Sequence, residues 1–133
     1  MERETQQRYG KDSPTFATSS AQRHSAGYAA DGDAATWWQP AADDSHPSLA
    51  LDMERTLDVT RIQAMFPRQA IGPCVVEVST DQAQWSKVAE IDHPADQWRL
   101  DLERPVRARF VRFSFAAPTT SRVPALAEIE VLG

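Results

Sequence analysis

Short runs of period-two alternation, each cut off by turn-forming residues, constrain the fold of this chain more than any other feature. In residues 59–66, Ile62, Ala64 and Phe66 fall on one side while Arg61, Gln63 and Met65 fall on the other. In residues 107–115, Val111, Phe113 and Phe115 share a side opposite Phe110, Arg112 and Ser114. Near the end, Ile129 and Val131 alternate with Glu128 and Glu130. Successive strand side chains point to opposite faces, so these runs fit strands with one face buried. Between them lie residues 49–53, 74–79, 85–91 and 97–102, each short and bounded by Pro, Asp, Ser or Gly. The polar stretch Ser79-Thr80-Asp81-Gln82-Ala83-Gln84 suits a tight turn. About eight such strands predict an all-β chain, an antiparallel β-sandwich of the jelly-roll kind. The sole helical expectation is a turn near residues 21–28.

At 133 residues the chain is long enough for a single core and too short for two domains. Residues 1–13 are polar and charged and read as a linker or tail, leaving 14–133 as the domain; a piece of a larger protein would look like this. The net charge of −5 argues against nucleic acid, whose binding relies on a basic face. Arg104, Arg107, Arg109 and Arg112 cluster but alternate with apolar residues, as on the solvent face of a strand. The lone cysteine, Cys74, precedes Val75 and Val76 in a strand-like run and reads as a buried, inert thiol. No stretch has the length and apolarity of a membrane span or a signal-peptide core.

Catalysis finds little support in the residues. Glycoside hydrolysis needs two carboxylates across a cleft, one in an apolar setting. The adjacent Asp43 and Asp44 read as solvated instead. His24, His46 and His93 are dispersed without zinc-ligand spacing. Nucleophile elbow, phosphate loop and dinucleotide fingerprint are all missing. The chain is expected not to be an enzyme.

Several segments, in order, resemble the discoidin family, also called coagulation factor 5/8 type C domains. Ala17-Thr18-Ser19-Ser20 resembles its opening strand. Ala30-Asp31-Gly32-Asp33-Ala34-Ala35-Thr36-Trp37-Trp38 resembles its Asp-Gly loop, where Thr and Trp follow at fixed offsets. Ser48-Leu49-Ala50-Leu51-Asp52-Met53 resembles the strand that usually ends in Asp-Leu-Gly. Residues 75–85 resemble a strand, a Ser-Thr-Asp-Gly turn and a Trp, with Gln82 where Gly is usual. Ala108-Arg109-Phe110-Val111-Arg112-Phe113 and Ala127-Glu128-Ile129-Glu130-Val131 resemble the two late strands. The set spans residues 17 to 133. It is similar above all to bacterial carbohydrate-binding module family 32 domains appended to glycoside hydrolases. The resemblance implies a galactose-binding-domain-like sandwich that binds glycan or polysaccharide. It further implies a parent glycoside hydrolase, a monomer, and an extracellular or periplasmic setting.

The loop 30–38 offers hard oxygen donors of the kind calcium takes. Asp31 brings a carboxylate, Thr36 a hydroxyl and a carbonyl, and the Asp-Gly-Asp turn can aim further carbonyls inward. The resemblance implies that Glu128 completes the shell, with the backbone carbonyls of Tyr28, Asp33 and Ala127. The ion would be structural, calcium or sodium. Taken alone, the same residues also make a metal-free surface turn in which Thr36 bonds its own loop.

Sugars stack their C–H faces on aromatic rings, with a few polar groups fixing orientation. Trp38 aligns with the family's core Trp, whereas Trp37 flanks the binding end in relatives and is the first stacking candidate. Trp98 and Tyr28 follow, and Trp85 reads as framework. Gln39, His46, Arg68 and Arg122 sit in loop segments and are the polar candidates, although each also fits a plain solvated loop residue. Galactose-binding relatives often carry His after the Trp matching Trp38, and Trp three residues on. Gln39 and Ala42 stand there, so galactose specificity is not implied. The rival reading is an accessory sandwich that docks on a catalytic domain through an apolar patch. Membrane binding is disfavoured because Asp43 and Asp44 lie in the loop that would meet anionic lipid.

Overall fold

The computed structural model describes residues 7–133. Seven strands and one 3-10 turn make up the regular structure of the described residues. They are β1 (Arg8–Tyr9), β2 (Thr15–Ala17), the turn Ala26–Ala30, β3 (Ser48–Met65), β4 (Cys74–Ser79), β5 (Ser86–Ile91), β6 (Gln97–Phe115) and β7 (Glu128–Leu132). Their order is β1-β7-β3-β6-β4-β5, with β2 on β3, and the ladders are antiparallel.

The sandwich arises because β3 and β6 pass through both layers. Their paired halves Ser48–Asp52 and Phe110–Ser114 lie with β2, β4 and β5. The other halves, Arg61–Met65 and Gln97–Asp101, lie with β7 and β1. Two register shifts between Asp52 and Arg61 bend the ladder between these layers. Glu54 takes a left-handed φ of 73° at the first shift. Pro105 sits in the unpaired stretch of β6, where its missing N–H removes no ladder bond. Thus the expected strands 49–53 and 59–66 are one bent strand, as are 97–102 and 107–115; these two mergers, with β1 added, leave seven strands among the described residues.

The alternation predicted the buried faces. Ile62, Ala64 and Phe66 are buried, with Ile129 and Val131 beside them in the same layer, as are Val111, Phe113 and Phe115 from the opposite layer. Trp38 is fully buried at the centre; its backbone pairs with Leu126 and its indole N–H donates to the Ser19 carbonyl at 2.9 Å. Phe110 departs from the pattern. It lies on the outer face and is nonetheless buried, covered by the Trp85 ring at 6.4 Å and the Arg109 guanidinium at 4.9 Å. Trp85 is framework, as expected, under the Arg112 guanidinium at 3.9 Å.

The linker expectation for residues 1–13 needs correction where the structure describes them. Arg8 and Tyr9 pair with Leu132 and Val131, and Tyr9 packs on the core. A two-residue strand carries too few side chains to show a period, so only its partners reveal it. Residues 1–6 of that expectation lie outside the described residues. The opening strand expected over 17–20 is instead β2; Thr18 and Ser19 leave the ladder to bind the Asp44 carboxylate at 2.5 and 2.6 Å.

Candidate functional site

Three connections meet beyond one end of the layer that holds β7. They are the loop after the 3-10 turn, the β3–β4 loop and the β5–β6 loop. Phe66 donates its N–H to the Asp96 carbonyl at 2.7 Å and so clamps two of them together. The cleft between them has a volume of about 770 Å³ and is lined by Trp37, Phe66, Arg68, Gln69, Asp96 and Gln97, among others. That size falls within the ~300–1,000 Å³ of small-molecule sites. Trp37 is half-buried here, stacked on His24 with centroids 4.9 Å apart and 22° between planes. His24 Nδ1 lies 3.0 Å from the Trp37 carbonyl, so ring and backbone are both held. The Trp37 indole N–H reaches Gln39 Oε1 at 3.5 Å.

Beside this cleft a second one, of about 360 Å³, is lined by Gln39, Gln69, Ser121 and Arg122. Gln69 borders both. Four of the six expected ligand residues (Trp37, Gln39, Arg68 and Arg122) therefore flank two adjoining clefts. The other two do not. Trp98 pairs with Ala64 and meets buried Phe113 edge-on at 6.1 Å; half-buried, it lines a separate hollow of about 460 Å³ with Gln63, Arg99 and Glu130, which shares Met65 and Gln97 with the Trp37 cleft. His46 sits on an exposed turn, its N–H on Asp44 Oδ1 at 3.0 Å and its ring beside Ser45 at 2.9 Å. Asp44 is likewise no solvated loop acid, for it ties that turn to Thr18 and Ser19.

His24, Asp96 and Gln97 were not singled out from sequence. His24 lies thirteen residues before its stacking partner. Asp96 and Gln97 had one usable signal: antiparallel pairing of 59–66 with 97–102 brings 66–69 beside 96–97.

The acidic loop forms a separate arrangement. Asp31 accepts the Asp33 N–H at 2.9 Å and the Thr36 hydroxyl at 2.6 Å, and Thr36 also reaches the Asp33 carbonyl at 3.0 Å. Glu128, buried at the start of β7, accepts the Gly32 N–H at 2.8 Å and the Arg8 guanidinium at 2.5 Å. Asp31 and Glu128 are close enough to perturb each other. Burial pushes the Glu128 carboxyl above the usual carboxylate range, against the pull of Arg8 and Gly32, and Asp31 adds to the rise. Burial would raise Asp31 too, but its bonds from Thr36 and Asp33 outweigh it and hold its carboxyl low. Tyr28 lies in the 3-10 turn that leads into this loop, and Ala127 immediately precedes Glu128. Two carboxylates, a hydroxyl and a turn carbonyl suit a hard cation in kind. Arg8 already brings one positive charge to Glu128, and a bound ion would share that carboxylate with it. Among the described residues no group of three or more His, Cys, Asp or Glu side chains is placed to hold a metal.

The fold is that of a discoidin-type sandwich. A family model, the F5/8 type C domain, matches residues 15–129, and the chain belongs to that family. Solved structures agree in fold. Chitosan-binding module 1 from a Paenibacillus sp. IK-5 chitosanase/glucanase superposes with a TM-score of 0.85 at 19% identity, covering 96% of this chain and 99% of that one. Module 2 of the same enzyme, in complex with chitotriose, gives 0.83 at 22%, covering 93% and 98%. The family 32 carbohydrate-binding module of Clostridium perfringens NanJ, in complex with galactose, gives 0.81 at 17%, covering 97% and 100%. No curated protein matches the chain.

Proposed function

We propose that this domain is a non-catalytic carbohydrate-binding module that holds a parent carbohydrate-active enzyme on glycan or polysaccharide outside the cytoplasm. The cleft carries the reading: a rigidly held indole, Trp37, faces a preformed hollow ringed by amide and charged side chains that can bond sugar hydroxyls. A shallow site of this kind predicts a Kd near ~0.1–1 mM, because little area offsets the entropy lost on association. Linkage to an enzyme compensates by raising the effective concentration at the polymer. Phe16 is the one large apolar side chain that is exposed among the described residues, so the docking-domain reading has no broad patch of large apolar side chains to use.

Screening the isolated domain on a glycan and polysaccharide array tests the proposal. Retention that is lost in Trp37→Ala, with the melting temperature kept, supports it. Equal retention by Trp37→Ala moves the site elsewhere, and a blank array from folded protein removes the reading.

The same proposal includes a structural calcium (or sodium) ion at Asp31, Thr36 and Glu128. Its support is the convergence of two acids from opposite ends of the chain. The ion would supply a second positive charge that ties the early loop to β7. A melting temperature unchanged by EDTA and by millimolar calcium would remove it.

A further inference from the structure

We propose that the paired clefts select an anionic sugar, its carboxylate or sulfate received by Arg122 with Arg68 alongside. This deepens the carbohydrate-binding reading and rests on it. Six arginines meet carboxylates within the fold: Arg8, Arg61, Arg99, Arg107, Arg109 and Arg112. Among the described residues, no carboxylate pairs with Arg68 or Arg122. Arg23, Arg55 and Arg104 are unpaired too, but they are exposed and line neither cleft. Arg122 differs from Arg23, Arg55, Arg68 and Arg104 in being half-buried; its Nε, like that of Arg8, is shut off from solvent without an acceptor, but unlike Arg8 it has no carboxylate elsewhere on its guanidinium. A desolvated charged donor with no partner is costly, and proteins rarely leave one without a reason.

The structure holds Arg122 in place from two directions. Its N–H donates to the Thr119 hydroxyl at 3.2 Å, and its carbonyl accepts the Thr119 N–H at 2.9 Å, closing a tight turn. Its stem then lies against Gly72. A Cβ at Gly72 would stand 2.9 Å from Arg122 Cδ and 3.2 Å from Nε, and Gly72 has a φ of +84° that side-chain-bearing residues rarely adopt. Glycine thus serves both the backbone and the arginine. The result is an arginine whose stem is confined from below and whose side chain lines the cleft with Gln39 and Gln69. A planar guanidinium fork matches the two oxygens of a carboxylate or sulfate, and confining its stem lowers the entropy lost on binding. Arg68 precedes Gln69 at the border of the two clefts, so a second positive charge stands alongside. Asp96 is the one acid on either lining, on the far strand connection beside Gln97. The clefts therefore carry a local surplus of positive charge on a chain of net charge −5.

Calorimetry with the intact domain tests this on four probe sets. These are oligogalacturonates, sulfated galactose oligomers, their carboxyl-reduced or desulfated counterparts, and chitotriose. The expected result is tighter binding of a carboxylate or sulfate probe than of its neutral counterpart by about tenfold or more. That margin should shrink as salt rises from ~0.05 to ~0.5 M, because the attraction is screened. Arg122→Gln should lose the margin at an unchanged melting temperature. If that variant fails to fold, the salt series and Arg68→Gln, on an exposed loop, carry the test. The two anionic arms tell carboxylate from sulfate. Equal or tighter binding of neutral sugars or chitotriose, or a margin indifferent to salt, overturns the anionic proposal and leaves the carbohydrate-binding reading standing. Failure of every sugar with folded protein overturns both.

Discussion

Removing Arg8 should expose how much the fold depends on one guanidinium. The Glu128 side chain is 4% exposed and its Arg8 partner 25%. Deleting one member of a buried ion pair costs about 3–5 kcal/mol, since the survivor stays charged without compensation. Water reaches a quarter of Arg8 and can replace part of what is lost, so about 2–3 kcal/mol is the sounder figure for Arg8→Ala. At about 2.1 cal/mol/K per residue of unfolding entropy, that corresponds to a fall of about 7–11 °C in melting temperature. The loss should also depend on pH. Burial already raises the Glu128 carboxyl above its unfolded value, and loss of Arg8 raises it further. A carboxyl raised in the folded state leaves the fold unpenalised below the unfolded pKa. Stability then drains away as pH climbs from there through the folded value. Arg8→Ala should therefore lie close to the parent near pH 4 and fall well below it at pH 7. Paired melts at both pH values in EDTA would show this. An equal deficit at the two values, or none at pH 7, would refute the reasoning. Millimolar calcium should restore much of the pH 7 loss if the acidic loop takes the ion in place of the guanidinium.

Three further outcomes follow from particular residues. Gln82 holds a φ of 64° in the turn between β4 and β5, a conformation that costs a residue with a side chain about 1 kcal/mol or more. Gln82→Gly should raise the melting temperature by about 2–4 °C, and a fall would mean that the side chain contributes contacts of its own. Burial pushes the Cys74 thiol up to about 12, so a thiol reagent at pH 8 should label native protein very slowly and denatured protein at once; rapid native labelling would contradict that burial. Trp98→Ala should destabilise by about 2–4 kcal/mol through loss of the ring's packing on the core, its edge contact with Phe113 included, measured by chemical denaturation. A variant that kept its stability but lost glycan binding would return Trp98 to the ligand site.

The core faces were legible because burial on one side of a strand leaves a period of two in the chain. Ile62, Ala64, Val111 and Phe113 needed nothing more. Continuity between strands was not legible. Glu54 and Arg55 look like a loop, and only the cross-strand register shows β3 running on past them. Phe110 was assigned to the solvent side by its parity, and Trp85, distant in sequence, buries it together with the neighbouring Arg109. The site divides along the same line. Trp37 and Arg68 could be picked as loop residues with suitable chemistry. His24 against Trp37, and Gly72 beneath Arg122, are pairings that exist only once the chain has folded.

The pairing of β1 with β7 has an architectural consequence. Gln7 and Gly133 exchange hydrogen bonds, N–H to carbonyl in both directions, at 2.8 and 3.1 Å. The chain thus enters and leaves the sandwich through a single doorway. That doorway adjoins the Leu132–Arg61 pair, four residues, or about 13 Å, along β3 from the Met65 rim of the cleft. A domain so threaded can be spliced into a surface loop of another protein without prising the host apart, and the cleft would face outward. Joining the two ends with a short Gly-Ser bridge and reopening the chain within the turn at residues 80–84 should give a circular permutant that still folds.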